Sequence, residues 1–218
     1  MTTQGSGRGL RERKKQQTRE QLARVSMRLF VKRGFEDVTV SEIAEAVGVS
    51  PTMTVFNYFP LKEDLVFDPY EPRIDSLARA VREQAAGQSA LGGLREAYLT
   101  ALGDGGDTVL TGRESPRFAR LVRVSPRLRA REREIGDQRE DALATELATA
   151  TGTPPGGLAA RLAAAQLSTA HRVLISLMRS WVLGGASAAE TERRAAAAAA
   201  DTFGALETVL GNYAVRDR

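Results

Sequence analysis

Thr52, Met53, Thr54 and Asn57 bring hydroxyl, methyl, thioether and carboxamide groups to one short segment that holds no acidic residue. Such a surface is suited to non-covalent recognition, since it can enter a major groove without repelling phosphate. Little else in the chain offers chemistry. There is no cysteine, which excludes disulfides and thiolate metal sites, and the single histidine, His171, excludes most histidine-based metal sites. Glu132, Glu134, Asp137, Glu140 and Asp141 alternate with Arg129, Arg131, Arg133 and Arg139, the pattern of a solvated helix face rather than of an acid–base or metal cluster. Gly103, Asp104, Gly105 and Gly106 are not followed by Lys-Ser or Lys-Thr, so no phosphate-cradling loop is expected. No nucleophile is paired with a base. We therefore expect no catalytic residues, no metal, no cofactor and no enzyme activity.

The elements that must position this segment are short helices. From Thr18, the residues Leu22, Val25, Leu29 and Phe30 fall on one helical face, which ends at Gly34 after Lys32 and Arg33. Thr39, Val40, Ser41 and Glu42 form a capping box, so a second helix starts there and ends before Gly48. Ser50 and Pro51 open a third helix that runs to about Tyr58, and Pro60 opens a fourth, interrupted at Pro69 and Pro72 before Ile74, Leu77 and Val81 resume the period. Ile43 and Val47 on helix two, Val55 and Phe56 on helix three, a small Ala44 at the crossing and Gly48 in the connection allow a steep packing of two short helices.

The rest of the sequence is also helical: 90–102, 117–124, 126–150, 157–183 and 188–214, with no strand-like alternation. The net charge is +4, but the first 34 residues hold ten basic residues against Glu12 and Glu20, a local +8 that leaves −4 for the remainder. That asymmetry directs the N-terminal part toward a polyanion, through the release of counterions condensed on phosphate; a solvated tail is the plainer alternative. Residues 1–16 are expected to be a flexible basic arm, 17–63 a first helical domain and 64–218 a second, larger helical domain. With neither a signal-peptide segment nor a membrane-length apolar run, the expected location is the cytoplasm, with no membrane partner.

Residues 22–67 resemble the TetR family of bacterial repressors, most clearly at 38–44, at Gly48, Val49 and Ser50, and at 57–65. Residues 117–134 are similar more narrowly to actinobacterial members. The resemblance implies an all-α fold: a three-helix helix-turn-helix domain followed by a helical ligand-binding and dimerisation domain. It implies that Thr39, Tyr58 and Lys62 contact backbone phosphates, Lys62 from the first turn of helix four. Pro51, Thr52, Met53 and Thr54, with Phe56 and Asn57, would face or support base edges, the methyl-bearing side chains suiting thymine and Asn57 adenine.

One departure matters. Between Ser50 and Phe59 the chain has one residue more than the family's usual spacing. Inserted within a helix it would rotate everything after it by about 100°. We therefore expect the turn to absorb it, with helix three beginning around Thr52, Val55 buried, and Met53 and Thr54 facing the groove; Thr54 packed against Ala44 would contradict this.

In the second domain, Phe67, Tyr70, Tyr98, Phe118, His171 and Trp181 lie on helices that in this family surround an effector cavity, although each also suits plain core packing. Phe203, Leu206, Leu210 and Tyr213 form a seam after six consecutive alanines and, with the 157–183 helix, suit a four-helix homodimer interface. The expected partners are a double-stranded DNA operator, a second copy of the chain and a small hydrophobic or amphipathic effector. The leading expectation is a repressor released from a palindromic operator; an activator, an effector-independent regulator and a helical carrier of apolar ligands are the alternatives.

Overall fold

The computed structural model describes residues 6–50, 53–67, 74–104, 108–112 and 115–216, and among them every regular element is helical. The chain divides into two compact units: Met1–Glu71 with Leu121–Arg129, and Pro72–Arg120 with Ala130–Arg218. The sequence-based boundary at 63/64 lies eight residues before the end of the first segment and does not include the return of 121–129. No helix among the described residues is long and apolar enough to cross a membrane.

In the first unit, α1 (Ser6–Arg33) packs on α2 (Val40–Val47) and α4 (Asp64–Phe67), with α3 (Met53–Phe56) against α2. The α1 helix starts twelve residues before Thr18, where apolar periodicity begins, so the expected arm over 1–16 is helical from Ser6. Beyond Gly9 the run is Leu, Arg, Glu, Lys and Gln, all strong helix formers, and a helix nucleated over the buried half propagates back through them, with residues 13–17 exposed. Leu22, Val25, Phe30, Phe35, Val38, Ile43, Ala44, Val55, Phe59, Leu65 and Val66 form the apolar interior. Leu121, Val122 and Leu128 are also buried. Between them Ser125 caps the following helix through the Leu128 amide and donates its hydroxyl to Glu36 at 2.7 Å.

The second unit contains α5 (Ser76–Arg82), α6 (Ala90–Gly103), α7 (Thr108–Thr111), α10 (Leu158–Leu183) and α11 (Ala188–Leu210), with most of α8 (Pro116–Val124) and α9 (Pro126–Ala150). The α11 helix stops four residues before Ala214, at the Gly211 cap. Helix α11 packs closely on α6 and α10, and Ala160, Ala163, Ala164, Ala195 and Ala199, buried in this core, present only methyl groups. After α11 the chain returns to the α5–α6 loop, where Gly87 donates to the Arg216 carbonyl, Arg216 donates to that of Gln88, and the Gln84 carboxamide donates to Ala214.

Two glycines are required for different reasons. Gly48, at the end of α2, has φ +75 with open space around it. Gly112 has φ +65, and a Cβ there would lie 2.8 Å from Ile175 Cδ1 and 3.1 Å from Ile175 Cα. Gly48→Ala is therefore expected to cost about 1 kcal/mol of backbone strain alone, and Gly112→Ala about 2–4 kcal/mol because overpacking is added. Chemical denaturation of the two variants checks the order.

Candidate nucleic-acid interface

Helix α3 is oriented by the helix before it. At the start of α2, Thr39 has extended φ/ψ, its hydroxyl accepts from the Glu42 amide at 3.2 Å, and the Glu42 carboxylate accepts from the Thr39 amide at 2.7 Å and from its hydroxyl at 2.9 Å. Arg33, the last residue of α1, joins this box with a guanidinium–carboxylate contact of 2.6 Å to Glu42 and a 2.6 Å bond to the Asp37 carbonyl. The Thr39 amide, then the Arg33 side chain, then the Thr39 hydroxyl hold the Glu42 carboxyl at a pKa of about 2. Thr39 is exposed, as a phosphate contact requires, but its hydroxyl proton goes to Glu42. At the other end Gly48 is left-handed, and the Val49 amide closes on the Ala44 carbonyl at 2.9 Å, a glycine-capped stop that turns the chain toward α3.

Pro51 and Thr52 lie outside the described residues. Helix α3 begins at Met53, Val55 is 1% exposed in the core, and Thr54 is only half-buried. This is the register expected if the surplus residue lies before the helix. Its last turn continues through amide bonds from Asn57 to the Met53 carbonyl and from Tyr58 and Phe59 to that of Val55, at 2.9–3.1 Å. Residues three and four apart share a helix face, so Met53, Phe56 and Asn57 line up, and all three are exposed, Met53 at 63%. Thr54 and Tyr58 flank this row, each half-buried. Phe56, which the sequence both paired with Val55 in packing and, by resemblance, set with Asn57 at the base edges, faces outward; its i, i+3 spacing from Met53 was the available signal.

Lys62 is placed differently from the expectation. It occupies a turn before α4, not the first turn of that helix. Its ammonium donates to the Phe35 carbonyl at 2.5 Å and lies 4.2 Å from the Phe35 ring centre and 5.7 Å from that of Phe30. Burial pushes its pKa below the usual lysine value. Two rings 5.0 Å apart and a carbonyl thus offer the cation a site inside the unit. The Arg19 guanidinium lies 5.4 Å from the centre of the Phe59 ring.

The effector candidates are only partly brought together. Tyr98 and Trp181 belong to one apolar cluster in the second unit, where Tyr98 meets Phe203 edge-on at 6.2 Å. The Tyr98 hydroxyl is buried without a hydrogen-bond partner, and burial pushes its pKa up to about 12. His171 is buried, its Nε2 3.1 Å from the Leu110 carbonyl, which pins α10 to α7. Phe118 is buried, Phe67 is half-buried in the first unit, and Tyr70 lies outside the described residues.

The dimer candidates require a correction. Phe203 and Leu210 are buried in their own unit's core, with Leu206 and Tyr213 packed against it. The outward face of α11 carries Ala197, Ala200, Gly204 and Thr208 instead, and that of α10 carries Leu158, Leu162 and Val173, with Leu158 75% exposed. Large apolar residues settle on the inner face because they gain most from burial there.

Because Glu42 titrates near 2 when folded and near its ordinary 4.5 when unfolded, its contribution to stability is complete above pH 4.5 and is lost as the pH falls toward 2. Urea midpoints of Glu42→Gln and the parent are expected to differ at neutral pH and to converge toward pH 2. Lys62→Met keeps the stem but removes the charge, and is expected to lower the stability of the first unit by about 1–3 kcal/mol, read by the same titration at pH 7.

Residues 22–68 match the family model described as bacterial regulatory proteins, tetR family, a span that takes in the core-forming half of α1, α2, α3 and α4. The HTH-type transcriptional regulator TcmR of Streptomyces glaucescens is 34% identical over 150 residues, covering 67% of this chain and 66% of the relative, so the match spans just under two thirds of that protein. Among solved structures, Salmonella enterica GusR aligns with a TM-score of 0.52 at 20% identity over 88% of this chain and 95% of its own. A TetR-family regulator from Streptomyces coelicolor A3 aligns with a TM-score of 0.53 at 20% identity over 86% and 94%. At such identities these structures speak for the fold, and the fold and the motif-bearing residues agree: the chain belongs to the tetR family of bacterial regulatory proteins.

Proposed function

We propose that this protein is a homodimeric, DNA-binding transcriptional repressor that a small hydrophobic or amphipathic effector releases from a palindromic operator. The observation that carries the reading is the exposed row of Met53, Phe56 and Asn57, held by a buried Val55 and a capped α2. A thioether and an aromatic ring suit the thymine methyl, and a carboxamide can pair with the adenine edge. Thr54 borders that row; Pro51 and Thr52 precede it in the chain and extend the same proposal. Tyr58, beside the row, and the first amides of α2 next to Thr39 are proposed phosphate contacts. Lys62 supports them from within by tying its turn to the Phe35 carbonyl.

Two recognition helices are needed to read a palindrome, which calls for a dimer. The outward face of α10 and α11 supports one, because exposed Leu158, Leu162 and Val173 on α10 and small Ala197, Ala200 and Gly204 on α11 face outward among Arg161, Arg172 and Asp201. For the effector, the apolar cluster around Tyr98 and Trp181 supplies an oily environment, and the unpartnered Tyr98 hydroxyl gives one polar handle. Release then requires that the effector bind more tightly to the state whose recognition helices do not match the operator spacing.

Selection of bound duplexes from a random pool tests the reading, with a two-fold symmetric site as the expected result. Asn57→Ala is expected to weaken binding to that site by about 1–3 kcal/mol and to leave random-sequence binding nearly unchanged. Leu162→Glu with Thr208→Glu is expected to give a folded monomer by sedimentation that no longer retards the site. A duplex affinity that is independent of sequence would overturn the proposal.

A further inference from the structure

We infer that the N-terminal part of α1, centred on Arg13, Lys14 and Lys15, is a second DNA-backbone contact outside the helix-turn-helix; the inference rests on the DNA-binding reading above. Residues 13–17 are all exposed, so this stretch adds nothing to the apolar interior, which begins at Leu22. Its position is fixed by α1, which runs unbroken from Ser6 to Arg33. Arg19 lies against the ring of Phe59, whose amide is bonded to the Val55 carbonyl at 2.9 Å, so this part of α1 meets the chain two residues after Asn57, where α3 ends.

Lys15 precedes Arg19 by one helical turn on the same face, about 6 Å further along the axis. Arg13, Lys14 and Lys15 are consecutive, so they fan out over about 200° of the helix circumference, and a polyanion lying along that side of α1 meets at least one of them. Long cationic side chains on an exposed helix suit phosphate, which they hold by charge rather than by base identity. The occupant we assign is therefore the backbone of the duplex that α3 reads. An acidic protein or solvent alone are the competing outcomes.

The full-length triple variant R13Q/K14Q/K15Q tests this against a charge-matched control, R95Q/R133Q/R193Q, whose exposed arginines lie in the second unit. Affinities for the selected duplex and for a scrambled duplex are measured from low to physiological salt, with circular dichroism melting to confirm that both variants are folded. The expected result is about a tenfold loss on both duplexes at low salt, and a plot of log affinity against log salt shallower by about 2, for one contact per protomer of a dimer. The ratio between the two duplexes is preserved. An unchanged slope, an equal change in the control, or a loss confined to the selected duplex overturns the inference. A parent protein that binds neither duplex overturns the DNA-binding reading itself, a result distinct from these.

Discussion

The Glu42 carboxylate connects three parts of the first unit. It caps α2 through the Thr39 amide, takes the Thr39 hydroxyl proton, and pairs with Arg33 at the end of α1. An isolated eight-residue helix is not stable in water, so α2 exists because both of its ends are closed and one of its faces is buried. The charge on Glu42 serves the Thr39 amide, the Arg33 cation and the Thr39 hydroxyl together, which is why its pKa falls so far. With the start of α2 fixed, Gly48 determines the direction in which the chain leaves, and α3 inherits its orientation.

The same economy of parts recurs around Phe35. Its ring packs on Phe30, and its carbonyl and ring together receive the Lys62 ammonium, so one residue after α1 joins the inner helix to the turn before α4. A lysine in this position has two roles open to it by chemistry, an outward phosphate or an inward carbonyl. The inward site prevails because the carbonyl needs a donor and the two rings partly replace the hydration that the cation loses.

In the second unit, packing depends on side-chain size more than on charge. Alanine methyls let α11 approach α6 and α10 closely, and the large groups of Tyr98, Met178 and Phe203 fill the space between them. A core of this kind holds few polar groups, which makes the unpartnered hydroxyl of Tyr98 conspicuous. His171 shows the opposite outcome: its ring meets a backbone carbonyl and serves as a pin between helices.

Where a signal is local, the sequence determined it. The capping box at Thr39 and Glu42, the glycine stop at Gly48, the serine cap of α9 at Ser125 and the helical content itself depend on residues within one or two turns, and their positions agree with the structure. Burial of Val55 also followed, because a rotation of about 100° per residue leaves only one register compatible with a buried apolar face. What the tertiary structure alone decided is which of two chemically acceptable surroundings a side chain meets. The inward face of Phe203 and Leu210, the outward face of Phe56, the turn of Lys62 toward Phe35 and the extension of α1 back to Ser6 each have a local pattern that permits either outcome. The choice between them lies in contacts with residues distant in the chain or, for the start of α1, in propagation from a helix nucleated elsewhere, and neither is written in the spacing of neighbours.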